Sequence, residues 1–193
     1  MLLRTFTNKN SEIHVPLFKS LVRPYLEYSN SVWNPYLKSD INRIEKVQKN
    51  YTKRLQGMNG LSYHQRLERL KLPSLEYRRV RGDLIEVYKI THNIYDPVTT
   101  SVLFDTSSLK TNTRSNTNPY RLTKTHVNKK QSQMFFTNRV IDLWNSLPLH
   151  VVNSDSVNIF KNNIDSYFKQ VMFTTDFSFS LYIKHNLLTK VSD

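Results

Sequence analysis

The sequence predicts a mainly α protein, on three observations. Apolar residues recur at spacings of three and four over most of the first 95 positions. Helix-capping residues and prolines stand where those runs start and stop. Strand-like alternation is confined to two short stretches, residues 120–127 and the positions beyond 171.

The elements follow in order. Leu17, Leu21, Tyr25, Tyr28 and Val32 fall on one helical stripe, with Ser11 as N-cap, and Pro24 predicts a break into two pieces because it has no N–H to donate. After Pro35, Ser39 is the expected cap of a two-faced helix to about Leu55. At 100° per residue, Ile41, Ile44, Gln48, Tyr51 and Leu55 share one side. Arg43, Lys46, Lys49, Lys53 and Arg54 share the other, with Glu45 at its margin. Gly57 is the expected C′ residue of that helix and, with Gly60, forms the turn after it. Ser62 and Gln65 have the spacing of a capping box for a short helix with Leu67 and Leu70.

Pro73-Ser74 opens a longer helix to about Ile94, carrying Leu75, Leu84, Val87 and Tyr88, with Arg78, Arg79 and Arg81 in its first half. Residues 99–132 are half Ser, Thr and Asn and lose the helical period. They read as a partly disordered polar connection, with a short strand at 120–127 anchored by Leu122 and Val127. A helix returns at Met134 to Leu147, with Phe135, Val140, Leu143 and Trp144, and stops before Pro148. Ser154 or Asp155 caps a last helix with Val157, Phe160, Ile164, Tyr167 and Phe168 on one stripe. From Phe173 to Ile183 aromatic and aliphatic residues alternate with Ser and Thr, and no partner strand is visible.

Hydrophobic residues make up 38% of the chain and aromatics 12%, so a core must lean on Phe, Tyr and Leu. There are 28 Lys and Arg against 15 Asp and Glu, a formal charge of +13. The excess is +9 over residues 1–95, +4 over 96–133 and zero over 134–193. A polyanionic partner is therefore expected for the first two-thirds. The absence of cysteine excludes disulfides, thiolate-bound zinc and thiol catalysis. No apolar run approaches the ~18 residues of a membrane span, and Met1-Leu2-Leu3-Arg4 is too short for a signal-peptide core. These features predict a soluble cytoplasmic or nuclear chain with no membrane or small-molecule partner.

Several blocks resemble one family. They are Leu17-Phe18-Lys19-Ser20-Leu21-Val22-Arg23-Pro24-Tyr25-Leu26-Glu27-Tyr28 with Ser31-Val32-Trp33-Asn34-Pro35, then Asp40-Ile41 and Ile44-Glu45-Lys46-Val47-Gln48-Lys49. Leu61-Ser62-Tyr63, Arg66-Leu67 and Leu72-Pro73-Ser74-Leu75-Glu76-Tyr77-Arg78-Arg79-Val80-Arg81-Gly82-Asp83-Leu84-Ile85 follow, and Phe135-Phe136-Thr137-Asn138-Arg139-Val140-Ile141 and Trp144-Asn145-Ser146-Leu147-Pro148 close the set. In this order they resemble the region after the palm in non-LTR (LINE-type, jockey-like) retrotransposon reverse transcriptases. The resemblance runs over about residues 1–168 and implies a thumb-like helical subdomain (1–95), a polar linker (96–133), a C-terminal helical pair (134–170) and an unassigned tail (171–193). It implies helices that hold an RNA/DNA duplex through its phosphate backbone while a palm, absent here, performs RNA-directed DNA polymerisation. On that reading the chain is a truncated reverse transcriptase fragment.

Two-metal polymerisation needs carboxylates gathered around Mg²⁺. The family's aromatic-x-Asp-Asp signature has no counterpart, since no two Asp residues are adjacent. The six His lack metal-ligand spacing and read as surface or core residues, and three glycines form no phosphate-cradling loop. No catalytic residue, metal ligand or cofactor is expected. The candidate nucleic-acid contacts are Arg43, Lys46, Lys49, Lys53, Arg54, Arg78, Arg79 and Arg81. Trp33, Trp144 and the Tyr25/Tyr28 pair are assigned to the core. Two further readings stand beside weak, non-specific nucleic-acid binding: a host-adopted helical module with a protein partner at an exposed palm-facing surface, and a translated transposon remnant without selected function.

Overall fold

The structure, a computed structural model, describes residues 8–104, 118–124 and 126–174. It is mainly helical, and no strand occurs among the described residues. Two compact units divide it: the first holds the chain up to Val80 together with 170–174, the second Arg81–Lys169. This division falls inside a helix.

In the first unit the chain opens with α1 (Ser11–Leu17), capped by Asn10 instead of Ser11, since the Asn10 side chain accepts from the Glu12 amide. A π-helical turn (Phe18–Val22) then leads into α2 (Arg23–Glu27), with Pro24 in its first turn, and α3 (Asn30–Trp33) follows after Ser29 in the left-handed region. Pro24 supplies no amide, and a π turn is a common answer at such a helix defect. The stripe that turns inward is His14, Phe18, Val22 and Leu26, one residue along from the expected Leu17, Leu21, Tyr25 and Tyr28.

Helix α4 (Lys38–Lys53) starts without a side-chain cap, so Ser39 does not serve as one. Gly57 lies three residues past the C-cap Arg54 and is not its C′ residue; it and Gly60 adopt positive φ in the turn that follows. The capping box is present at α5 (Tyr63–Leu70): the Ser62 hydroxyl accepts from the Gln65 amide and Gln65 Oε1 accepts from the Ser62 amide. Tyr51, Leu55, Met58, Leu67, Leu70 and Leu72 close on Phe18 to form the core of this unit, and Phe173 packs against it.

Helix α6 (Leu75–Thr91) ends before Ile94, which is 52% exposed. Its residues from Arg81 onward belong to the second unit, where Leu84, Val87 and Tyr88 are buried. A short α7 (Pro97–Thr100) is capped by Asp96. After α8 (Lys130–Gln133), two short helices, α9 (Phe136–Arg139) and α10 (Ile141–Ser146), stand where one is expected over Met134–Leu147. Phe135 therefore stands at an N-cap, 62% exposed, instead of in the core. After α11 (Leu149–Val152), α12 (Val157–Tyr167) is capped by Ser156 rather than Ser154 or Asp155, and buries Phe160 and Ile164, with Phe168 buried just past its end. Ser154 instead accepts the Tyr88 hydroxyl on its carbonyl and the Asn163 amide on its hydroxyl.

The expected strand at 120–127 is instead a turn at Tyr120 followed by chain without regular structure among its described residues. Most of the expected polar disorder, residues 105–117, and the alternation beyond Thr174 lie outside the described residues. No helix among the described residues is long and apolar enough to cross a membrane.

Candidate nucleic-acid interface

The basic side of α4 is built from its opposite side. Tyr51 and Thr52 are buried with Gln48 and Glu45, so the helix is seated by that half. Arg43, Lys46, Lys49, Lys53 and Arg54 are all exposed. At 100° per residue the five occupy an arc of roughly 140°, and Arg43 to Lys53 span about 15 Å of helix axis. Among the described residues none of the five forms an ion pair; Lys49 Nζ lies 6.0 Å from the centroid of the Tyr63 ring. Cations at such spacing on one face offer a run of phosphate contacts and carry no base readout.

Glu45 is the departure. It is buried, not marginal: its Oε1 accepts from the Tyr63 hydroxyl at 2.6 Å and the Leu75 amide at 3.2 Å, and its Oε2 from the Glu76 amide at 3.2 Å. The carboxylate thus sits on the N-terminus of α6, where the free amides and helix dipole favour a negative charge. Burial first, then the Glu45 charge, holds the Tyr63 hydroxyl far above the usual phenol range. Beside them Gln48 donates to the Pro73 carbonyl, and buried Arg66 donates to the Leu61 carbonyl at 2.6 Å. Burial pushes the Arg66 guanidinium down from its ordinary value. The basic face is therefore carried on a polar joint that fastens α4 to α5 and α6.

The three remaining candidate arginines are spent inside the protein. Arg78 makes a bidentate pair with Glu27, whose second bond is 2.7 Å. Arg79 is 1% exposed and donates to Asn34 Oδ1 at 3.2 Å. In the second unit, Arg81 grips both oxygens of Asp165 at 2.6 and 2.8 Å. Helical periodicity locates these arginines but not their acidic partners, which lie 51 and 84 residues away in sequence.

Sequence reasoning also misplaced the aromatics of the first unit. Tyr25 is 85% and Tyr28 80% exposed, while Trp144, in the second unit, is fully buried as expected. The segment is inverted in polarity. Glu27 pairs with Arg78, Asn30 donates to the Arg79 carbonyl and Asn34 accepts from Arg79, so polar residues tie it down. Its apolar residues Leu21, Tyr25, Tyr28 and Val32 point to solvent, and Trp33 is 39% exposed. The one signal for this in the sequence is the coincidence of polar residues at the helical spacings 27, 30 and 34.

Among the described residues no group of three His, Asp or Glu is arranged to hold a metal ion. No known family model matches the chain. An uncharacterized protein of Caenorhabditis elegans is 29% identical over 96 residues, which cover 48% of this chain and 46% of that protein. The matched stretch is thus about half the length of the relative. No solved structure matches.

Proposed function

We propose that this chain is a thumb-like module of the non-LTR retrotransposon reverse transcriptase type, which grips an RNA/DNA duplex by its phosphates and performs no chemistry itself. The observation that carries the reading is the basic face of α4: five exposed cations in one arc, free of ion pairs among the described residues, on a helix seated by its other side. The sequence blocks that resemble the family's post-palm region support it, as does the lack of any adjacent Asp pair to seat two magnesium ions.

Duplex contact through four or five phosphates gives log K a slope against log salt of roughly −3.6 to −4.5. Fluorescence anisotropy with a labelled 20-base-pair hybrid duplex of arbitrary sequence measures it. Replacing Lys46, Lys49 and Lys53 by Gln is expected to flatten the slope by about 2.7. Replacing Arg78 by Gln is expected to leave it alone. Binding that does not change between low and moderate salt refutes the reading, as does primer extension by the purified chain.

A second reading, a helical protein-interaction module, is favoured by the inverted segment at 21–33, since exposed aromatic clusters mark protein contacts. A partner retained after nuclease treatment and lost on Tyr25→Lys/Tyr28→Lys supports it. A partner lost on nuclease treatment supports the first reading.

A further inference from the structure

In the second unit, Tyr120 ends a turn closed by the Arg121 amide on the Asn118 carbonyl at 3.3 Å, and residues 121–123 follow without regular structure, yet the backbone here is read like a ligand's. The Trp144 indole N–H donates to the Tyr120 carbonyl at 2.7 Å. The Asn145 side-chain amide takes both polar groups of Leu122, its Oδ1 accepting from the Leu122 amide at 2.9 Å and its Nδ2 donating to the Leu122 carbonyl at 2.8 Å. One asparagine thus stands in for a neighbouring strand.

Exposure alternates along the segment. Leu122 is 3% exposed, whereas Arg121 and Thr123 face outward. The Tyr120 ring lies flat on His92, with centroids 4.0 Å apart and planes 17° apart. His92 stacks in turn on Tyr88 at 3.9 Å, and Tyr88 on Phe160 at 4.3 Å, so Tyr120 completes a column already formed by three rings. A cavity of about 360 Å³ runs beside it, lined in part by Phe104, Tyr120 and Leu122.

We infer that the surface formed by His92, Trp144 and Asn145 is a recognition site for a peptide with an aromatic residue and, two positions later, a leucine, and that the chain's own Tyr120-Arg121-Leu122 occupies this groove. Main-chain hydrogen bonds supply affinity, and two pockets for alternate side chains supply selection, the division of labour seen when extended peptides dock in other folds. The tethered segment competes at an effective concentration in the millimolar range, so a peptide added to the intact chain binds weakly. The site is independent of the basic face of α4.

The test uses the full chain and a fluorescein-labelled peptide Asn-Pro-Tyr-Arg-Leu-Thr-Lys. Tyr120→Ala/Leu122→Ala empties the groove. This variant is expected to bind the peptide at least tenfold more tightly than the parent chain does. It should also prefer it at least tenfold over a peptide with alanine in place of tyrosine and leucine, and adding Asn145→Ala should abolish binding. A variant with unchanged helical circular dichroism that binds neither peptide, or both equally, overturns the inference. Should the variant not fold, hydrogen exchange at the Leu122 amide of the isotope-labelled parent chain decides the matter. Faster exchange under saturating unlabelled peptide supports displacement, and unchanged exchange overturns it.

Discussion

Helical periodicity puts Glu45 at the edge of a basic face, and the fold makes it a buried acceptor of three hydrogen bonds. Its carboxylate takes the Tyr63 hydroxyl and the Leu75 and Glu76 amides in a setting 5% exposed. Removing it strands three donors, so Glu45→Ala is expected to lower stability by about 2–4 kcal/mol in urea unfolding. Glu45→Gln keeps acceptor oxygen but loses the charge at the helix N-terminus, and should cost about 1 kcal/mol. A Glu45→Gln variant as stable as the parent chain would show that the charge contributes nothing, and one as weak as Glu45→Ala that the charge supplies the whole effect. His92 makes a second case. Its Nδ1 lies 3.0 Å from the Tyr88 carbonyl and so carries the proton, while Nε2 is buried with no hydrogen-bond partner among the described residues. Burial lowers its pKa from the ordinary value of about 6.5, against the raising effect of that carbonyl. The folded state then binds fewer protons than the unfolded one. Its stability contribution is complete above the unfolded value of about 6.5 and is lost as pH falls from there through the lower folded value. His92→Phe retains a flat ring for the column and is expected to show a shallower loss of melting temperature between pH 7 and 5 than the parent chain.

At the scale of elements, the helices over 38–53, 63–70 and 75–91 are legible because their cues are local: a two-faced pattern, a capping box, a Pro-Ser start. The pieces that were misread are those whose faces are set from afar. The stripe Leu17, Leu21, Tyr25, Tyr28 and Val32 has helical spacing, but Glu27, Asn30 and Asn34 share the turn and find partners on Arg78 and Arg79 in α6. No local rule weighs three such distant polar bonds against five apolar side chains. Likewise, the single helix expected over 134–147 breaks because Phe135 and Val140 take N-cap positions between shorter pieces. These placements predict opposite responses to substitution. Tyr25→Lys/Tyr28→Lys removes no buried contact and should shift unfolding free energy by no more than about 0.5 kcal/mol per site while improving solubility. Trp144→Ala in α10 empties a fully buried site and strands the Tyr120 carbonyl, for a loss of about 3–5 kcal/mol. Thermal denaturation of the two variants side by side checks both statements.

Over the whole molecule the composition gives the sign of the field but not its source. A formal charge of +13 attracts polyanions wherever its cations lie. Of the eight basic residues picked from the sequence, the fold leaves five on the surface of α4 and commits three to Glu27, Asn34 and Asp165. Whether that face or the total charge governs binding is decided by two variants of equal charge. Lys46→Glu/Lys49→Glu/Lys53→Glu reverses three cations on the face, and Arg121→Glu/Lys129→Glu/Lys130→Glu reverses three exposed cations elsewhere. Each lowers the formal charge by six. A duplex present at a hundred times its Kd stabilises the folded chain by about 2.7 kcal/mol. For a chain of this size that is a rise in melting temperature of roughly 5–10 °C. The expected outcome is that the variant on α4 loses this rise while the other keeps most of it. Neither free variant should melt below the parent chain, since each relieves self-repulsion among like charges. Equal loss of the ligand-induced rise in both would assign binding to the overall field and remove α4 from the account.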